Sequence, residues 1–373
     1  MRILISPDKF KGSLSAREVA EHIAVGLHGI MPKAVLDIIP IADGGEGTAD
    51  VICQSQGGAW ISCPSHDALG RAITGRYVWL ADPGVAVMEM SEAAGGWRIT
   101  QEERDPDSAN TYGVGEMLLA AASQRGNEII IGLGGSITND GGFGMARALG
   151  YQFLDRNGRQ LDRRVSDLLK LERIESPPNL VLPGLITASD VRNPLLGRRG
   201  ATRTFGPQKG VNPDQLQTFE DSLTRLAEVV ARELGCDFRD TPGAGAAGGL
   251  GFGLLSFCGA KMKGGFDVVA GMINLEAAVA RADVVITGEG SLDGQTLEGK
   301  APAGVAQLAR KLGKPVVAIA GCATEGTRTR AAFDRVIVLA QPPISREDSI
   351  KQAGQLLMER ARELASALSA TTK

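Results

Sequence analysis

Asp8, Asp43, Glu46, Asp140, Asp190, Glu289 and Asp293 each stand just after a short apolar run. Lys9, Lys11, Lys209 and Lys300 lie in the same or neighbouring stretches. Glycine-rich words surround them: Ala42-Asp43-Gly44-Gly45-Glu46-Gly47, Gly134-Gly135-Ser136-Ile137-Thr138-Asn139-Asp140-Gly141-Gly142 and Gly288-Glu289-Gly290-Ser291-Leu292-Asp293-Gly294. Loop carboxylates hold Mg²⁺ or take a proton from an alcohol, and lysines neutralise phosphate. Glycine lets backbone N–H groups close on phosphate oxygens. The set therefore supplies the parts of phosphoryl transfer. Any one acid suits a turn or a helix cap equally well; the repetition of acid-bearing glycine loops favours a phosphate-bearing ligand.

Two named motifs come close and fail. Gly243-Ala244-Gly245-Ala246-Ala247-Gly248 matches G-x-G-x-x-G, but no clear strand precedes it and no βαβ unit frames it. A dinucleotide-dependent oxidoreductase is thereby disfavoured, although a glycine-rich helix start still suits a phosphate. Residues 294–301 nearly spell a P-loop, with Ala301 where a hydroxyl should hold Mg²⁺ and Pro302 after it. Lys300 remains a sensible phosphate partner. No G-x-S-x-G elbow and no protein-kinase H-R-D or D-F-G occurs.

Strands must deliver these loops. Apolar runs predict strands at Arg2–Ser6, Leu36–Ile41, Glu128–Leu133, Asp283–Thr287, Val316–Ala320 and Arg335–Leu339. Ser15 with Glu18 forms a capping box opening a helix with Val19, Ile23, Leu27 and Ile30 on one face. A C-terminal helix runs from Arg346 to Leu368. Buried strands alternating with helices predict an α/β fold: a mostly parallel sheet of nucleotide-binding type, with ligands at the strands' carboxyl ends. Residues 60–110 and 151–269 break the rhythm, with β-rich pieces at Arg76–Leu80 and Val85–Met90, a hairpin-like Tyr151–Leu161 and a long helix Pro213–Leu234. The expectation is one domain from 1–60, 111–150 and 270–373, a second inserted α/β domain from 61–110 and 151–269, and a cleft between them. Trp60, Trp79 and Trp97 are expected to pack inside the second.

Composition excludes several classes. The 373 residues exceed what one core usually supports. Forty basic against 43 acidic residues give a net charge of −3, unsuited to general nucleic-acid binding or an anionic membrane. No apolar run approaches the ~20 residues of a membrane span. Five cysteines without a C-x-x-C pair and three scattered histidines argue for reduced thiols in a cytoplasm and against zinc or a disulfide framework. Glycine stands out at 49 residues, with no collagen period, which sends the excess to loops.

Taken in order, seven words resemble the bacterial glycerate kinase family. They are Ser6–Ala16, Ile41–Thr48, Gly132–Gly142, Ser189–Leu195, Phe205–Gly210, Pro242–Gly251 and Thr287–Thr296, the last running on to Gly299-Lys300. Lys9 and Ile137 depart from the usual residues, and neither removes a chemical group. The resemblance implies ATP-dependent phosphorylation of D-glycerate, typically at the 2-hydroxyl, with Mg²⁺ as cofactor and no nucleic-acid or membrane partner; an oligomer is possible. Chemistry and resemblance together nominate Asp190, Lys11 and Lys300 as catalytic. Gly134, Gly135, Ser136, Gly243, Gly245, Gly248, Gly288 and Gly290 are nominated for nucleotide phosphates. Asp43, Lys209 and Asn139 are nominated for substrate, and Asp190 and Asp293 for metal. Phosphorylation at the 3-position, another small hydroxy acid as acceptor, and a non-catalytic nucleotide-binding protein are the alternatives.

Overall fold

The computed structural model describes residues 1–293, 300–323, 332–341 and 344–371. Its strands in chain order are β1 (Arg2–Ile5), β2 (Val35–Ile38), β3 (Ala59–His66), β4 (Ala72–Leu80), β5 (Val85–Glu89), β6 (Glu128–Gly132), β7 (Gln152–Leu154), β8 (Arg173–Glu175), β9 (Gly184–Ala188), β10 (Lys261–Lys263), β11 (Val284–Leu292), β12 (Val316–Ala323) and β13 (Arg335–Val338). The chain divides into two compact units.

The first unit comprises Met1–Asp43, Asp50–Gln56 and Phe266–Lys373. Its five strands are all parallel, in the order β13-β12-β11-β1-β2. Ile3, Leu4 and Ile5 are wholly buried, as a central strand covered on both faces requires. The helix Ala16–Ile30 opens with the expected Ser15–Glu18 capping box. Its Val19, Ile23 and Leu27 join the core with Leu357, Ala361 and Leu364, while Ile30 is left exposed. The C-terminal stretch is two helices, Arg346–Lys351 and Ala353–Thr371, interrupted at Gln352. Strand β11 does not stop at Thr287. It pairs with β12 as far as Leu292↔Ala323, so Gly288 and Gly290 are strand residues and not loop residues.

The second unit comprises Gly44–Ala49 and Gly57–Gly265. Its six-stranded sheet has the order β10-β9-β6-β5-β4-β3. The four strands from β10 to β5 are parallel, and β4 and β3 complete an antiparallel meander. Residues 111–150 belong here and not with 1–60 and 270–373, because β6 pairs with β5 on one side and β9 on the other. Ile129–Ile131 reads in sequence like any buried parallel strand, and hydrophobicity does not name its partners. The turn at Asp155–Arg159 forms as expected, but β7 finds its partner in β8. The expected 213–234 helix begins as a short 3-10 turn and is α-helical over Leu216–Leu234. Trp60 and Trp79 are partly buried, whereas Trp97 is 61% exposed beneath the Arg98 guanidinium and so is not a core residue.

Candidate active site

In the second unit, the carboxyl ends of β5, β6 and β9 carry the sequence words to one edge. The segment Gly44–Glu46 lies directly on the loop after β6: a Cβ at Gly134 would collide with the Gly45 backbone. Glu89, which ends β5, accepts hydrogen bonds from the Gly47 and Ala49 amides at 3.0 and 2.9 Å. Gly134, Gly135 and Ser136 remain at least partly exposed, while Ile137–Asp140 turns inward and is buried.

Lys209 reaches this loop from the 3-10 turn Pro207–Lys209. It is only 3% exposed, and its ammonium donates to Ser136 Oγ and to the Thr138 carbonyl oxygen, both at 2.7 Å. Burial pushes its pKa down to about 7, and the Asp140 carboxylate partly opposes that shift. With its oxygen accepting from Lys209, the Ser136 hydroxyl keeps its own proton to donate.

Asp140 and Asn139 do other work. Asp140 is fully buried and accepts from the Thr111 amide and hydroxyl and from the Gly142 and Gly144 amides. Burial raises its pKa, and those hydrogen bonds lower it in part. Its role is to tie the loop to the helix starts at Tyr112 and Phe143. The Asn139 amide nitrogen donates to Thr202 Oγ1 at 2.9 Å, while its Oδ1 and the Thr138 hydroxyl are buried with no partner among the described residues.

The G-x-G-x-x-G word is buried behind this loop. Gly243, Gly245 and Gly248 are covered, and no strand precedes them. The Gly245 amide bonds the Asn193 carbonyl, and the Gly248 carbonyl accepts from the Gly141 amide. Gly248 has φ +70°, and a Cβ there would strike the Thr138 carbonyl oxygen. These glycines set the loop's position from behind and offer no open cradle. Asp190, two residues past β9, is half-buried and accepts from the Gly265 amide at 2.8 Å.

In the first unit, Asp43 in the loop after β2, Asp8 in the loop after β1 and Glu289 within β11 come together. The Asp8 carboxyl is pushed up to about 8, first by burial and then by the neighbouring Asp43, with Glu289 adding to it; Lys9, by charge and by its amide at 2.6 Å, pulls the other way. The Asp8 amide in turn donates to the Gly288 carbonyl. Lys300 Nζ lies 3.8 Å from Glu289 and 4.0 Å from Asp293. Lys11 is exposed, its backbone beside Gly290. Residues 294–299, the centre of the near P-loop, lie outside the described residues.

A model of the glycerate kinase family matches residues 3–369. The chain belongs to that family. This glycerate kinase family member is similar to the glycerate 2-kinase of Escherichia coli K12, at 39% identity over 99% of this chain and 98% of the relative. The glycerate kinase of Bacillus subtilis 168 is 38% identical over 99% of this chain and 98% of its own. A Salmonella typhimurium LT2 crystal structure described as glycerate kinase 2 superposes with a TM-score of 0.87 at 38% identity, covering 100% of this chain and 99% of that one.

Against that family background, the nominated residues fall into two groups. Gly134, Gly135, Ser136, Asn139, Asp190, Lys209, Gly243, Gly245 and Gly248 lie in the second unit, and Lys11, Asp43, Gly288, Gly290, Asp293 and Lys300 in the first. Sequence reasoning named Asp8 and Glu289 as loop acids without placing them with Asp43, and it missed Glu89. Asp8 follows β1 and Glu289 lies in β11, and their meeting depends on the pairing of those two strands, which the sequence does not name. Glu89 closes an apolar strand and offered no signal. Among the described residues no three His, Cys, Asp or Glu side chains are placed to hold a metal ion. Mg²⁺ bound to a nucleotide needs only one or two carboxylates beside phosphate oxygens, and Asp190, an oxygen donor on a strand's carboxyl end, fits that demand.

Proposed function

We propose that this chain transfers the γ-phosphoryl group of ATP to the 2-hydroxyl of D-glycerate, giving 2-phosphoglycerate and ADP. The observation that carries the reading is the match, along nearly the whole chain, to relatives named glycerate kinase and glycerate 2-kinase. The geometry supplies the means. Gly134 and Gly135 present backbone to an anion, and Ser136, oriented by the buried Lys209, donates its hydroxyl proton to an oxygen of substrate or phosphate. Lys11 and Lys300 neutralise charge that builds on the transferred group.

The reaction joins the glycerate oxygen to phosphorus, breaks the bond from phosphorus to the β-phosphate oxygen, and releases the hydroxyl proton. Asp190 is our candidate to take that proton. When bound, Mg²⁺ would neutralise the phosphates, with Asp190 and Asp293 as candidate protein contacts. No disulfide joins the five cysteines, which suits a reducing cytoplasm. An assay of ATP consumption with glycerate, followed by NMR of the product, tests the reading. It should give the 2-phosphate; a 3-phosphate product, or ATP binding without turnover, would overturn it.

A further inference from the structure

A cavity outside the proposed active site lies wholly within the second unit, and the proposed chemistry leaves it unused. Its volume is about 130 Å³, and its walls include His66, Tyr112, Glu116, Arg147 and Arg163. Cofactor pockets run to roughly 300–1,000 Å³, so this one suits a small ligand.

The two arginines set its character. Arg147 is half-buried, its guanidinium 5.3 Å over the Phe143 ring and 3.4 Å from the Asp162 carbonyl oxygen. Arg163 is exposed at the rim. Neither guanidinium forms an ion pair with a carboxylate among the described residues, whereas Arg71 holds Asp67 and Glu103, and Arg164 holds Asp107. Arg147 feels Arg163 as a repelling neighbour, and burial and that repulsion together depress its pKa, with Asp162 opposing. The acid on the wall, Glu116, is already engaged, with His66 Nδ1 at 2.9 and 3.0 Å from its two oxygens. Tyr112, packed edge-on against His66, adds a phenol to the rim.

Two like charges left side by side at a cavity destabilise the chain unless an anion joins them. A guanidinium pair presents several N–H donors in fixed forks, matching the oxygens of a tetrahedral dianion. We infer that the cavity of Arg147, Arg163 and Tyr112 is a binding site for a phosphate group, either inorganic phosphate or a small phosphomonoester. The site is independent of the proposed catalysis.

Titration calorimetry of the full chain with inorganic phosphate, glycerol 3-phosphate and malonate tests it. Wild-type protein should bind both phosphates and prefer them to malonate. R163Q, at an exposed arginine, should weaken that binding by about tenfold or more, as loss of a charge-assisted contact predicts. Y112F should weaken it less, and K209M should leave it in place, which separates it from phosphate bound at Ser136. Turnover of ATP and glycerate by R163Q should stay within about twofold of wild type. Equal phosphate affinity in wild type and R163Q, preference for malonate, or loss of phosphate binding in K209M alone would each overturn the assignment. Comparable affinity for the two phosphates means that the site reads the phosphate group itself; preference for the ester means that it also reads the attached alcohol, and both outcomes support it.

Discussion

A buried ammonium keeps its proton only while hydrogen bonds replace the water it has lost. Lys209 has two such bonds and a pKa of about 7. Its folded value lies below its unfolded one, so its stabilising contribution is complete above about 10.5 and is lost as pH falls through about 7. An anion on Ser136 would restore the charge, so ligand binding near neutral pH should take up a proton. Calorimetry in buffers of different ionisation enthalpy measures that uptake directly. Lys209→Met removes the group that orients Ser136, and kcat/KM should fall by roughly 10²-fold, as for other lost oxyanion contacts. Asp190→Asn should lower kcat by ~10²–10⁴-fold, the range for a general base; near wild-type turnover would remove Asp190 from that role. Asp8 runs the opposite way. Its folded pKa, about 8, lies above the unfolded value, so its contribution is complete below 3.8 and is lost as pH rises through about 8. Asp8→Asn should therefore gain melting temperature relative to wild type at pH 9 and show no such gain at pH 4. At this scale the sequence was informative about residue type and poor about exposure. Lys209, Asn139 and Ser136 were all visible in their words, but only packing separates the half-exposed Ser136 from the buried Asn139.

Strands and caps were the most legible elements. Ser15 and Glu18 stand three apart, and a reciprocal cap needs only that local spacing. The glycine words were harder, because glycine marks both loops and places where two backbones meet. Gly288 and Gly290 read as loop and lie in β11, since the pairing with β12 that extends the strand comes from residues 319–323. The G-x-G-x-x-G word read as a phosphate cradle and is a buttress. Gly248→Ala tests that role. A methyl there meets the Thr138 carbonyl oxygen in a left-handed backbone position, so the protein should lose about 2–4 kcal/mol of stability. Denaturant melts give that loss. The same substitution should also reduce turnover, because Thr138 holds Lys209.

Two sheets each gather loops at their carboxyl ends, and each sheet has its own core. The core containing Ile3, Ile286 and Leu357 and the core containing Ile130's neighbours Ile129 and Ile131 share no residues. Leu357→Ala, at a fully buried site, should cost about 2–5 kcal/mol in the first unit while amides of β6 keep their exchange protection. Loss of protection in both units together would show a single cooperative block. Assigning 111–150 to its unit was beyond the sequence, because strand partnership is decided by contacts far apart in the chain. The division also has a consequence in time. The chain crosses between units at 43/44, 49/50, 56/57 and 265/266, so in sequence the second unit is an insertion within the first. Ser6, just past β1, accepts a hydrogen bond from the hydroxyl of Thr287 in β11, 281 residues away. A ribosome adding about 5–20 residues per second delivers β11 on the order of 15–60 s after β1. Strand β10 ends at Lys263 and β11 begins at Val284, so the six-stranded sheet has all its strands roughly 1–4 s before β11. The N-terminal strand therefore emerges first and settles late, with one apolar edge still open, and that interval is when a nascent chain of this design most needs shielding from its own kind.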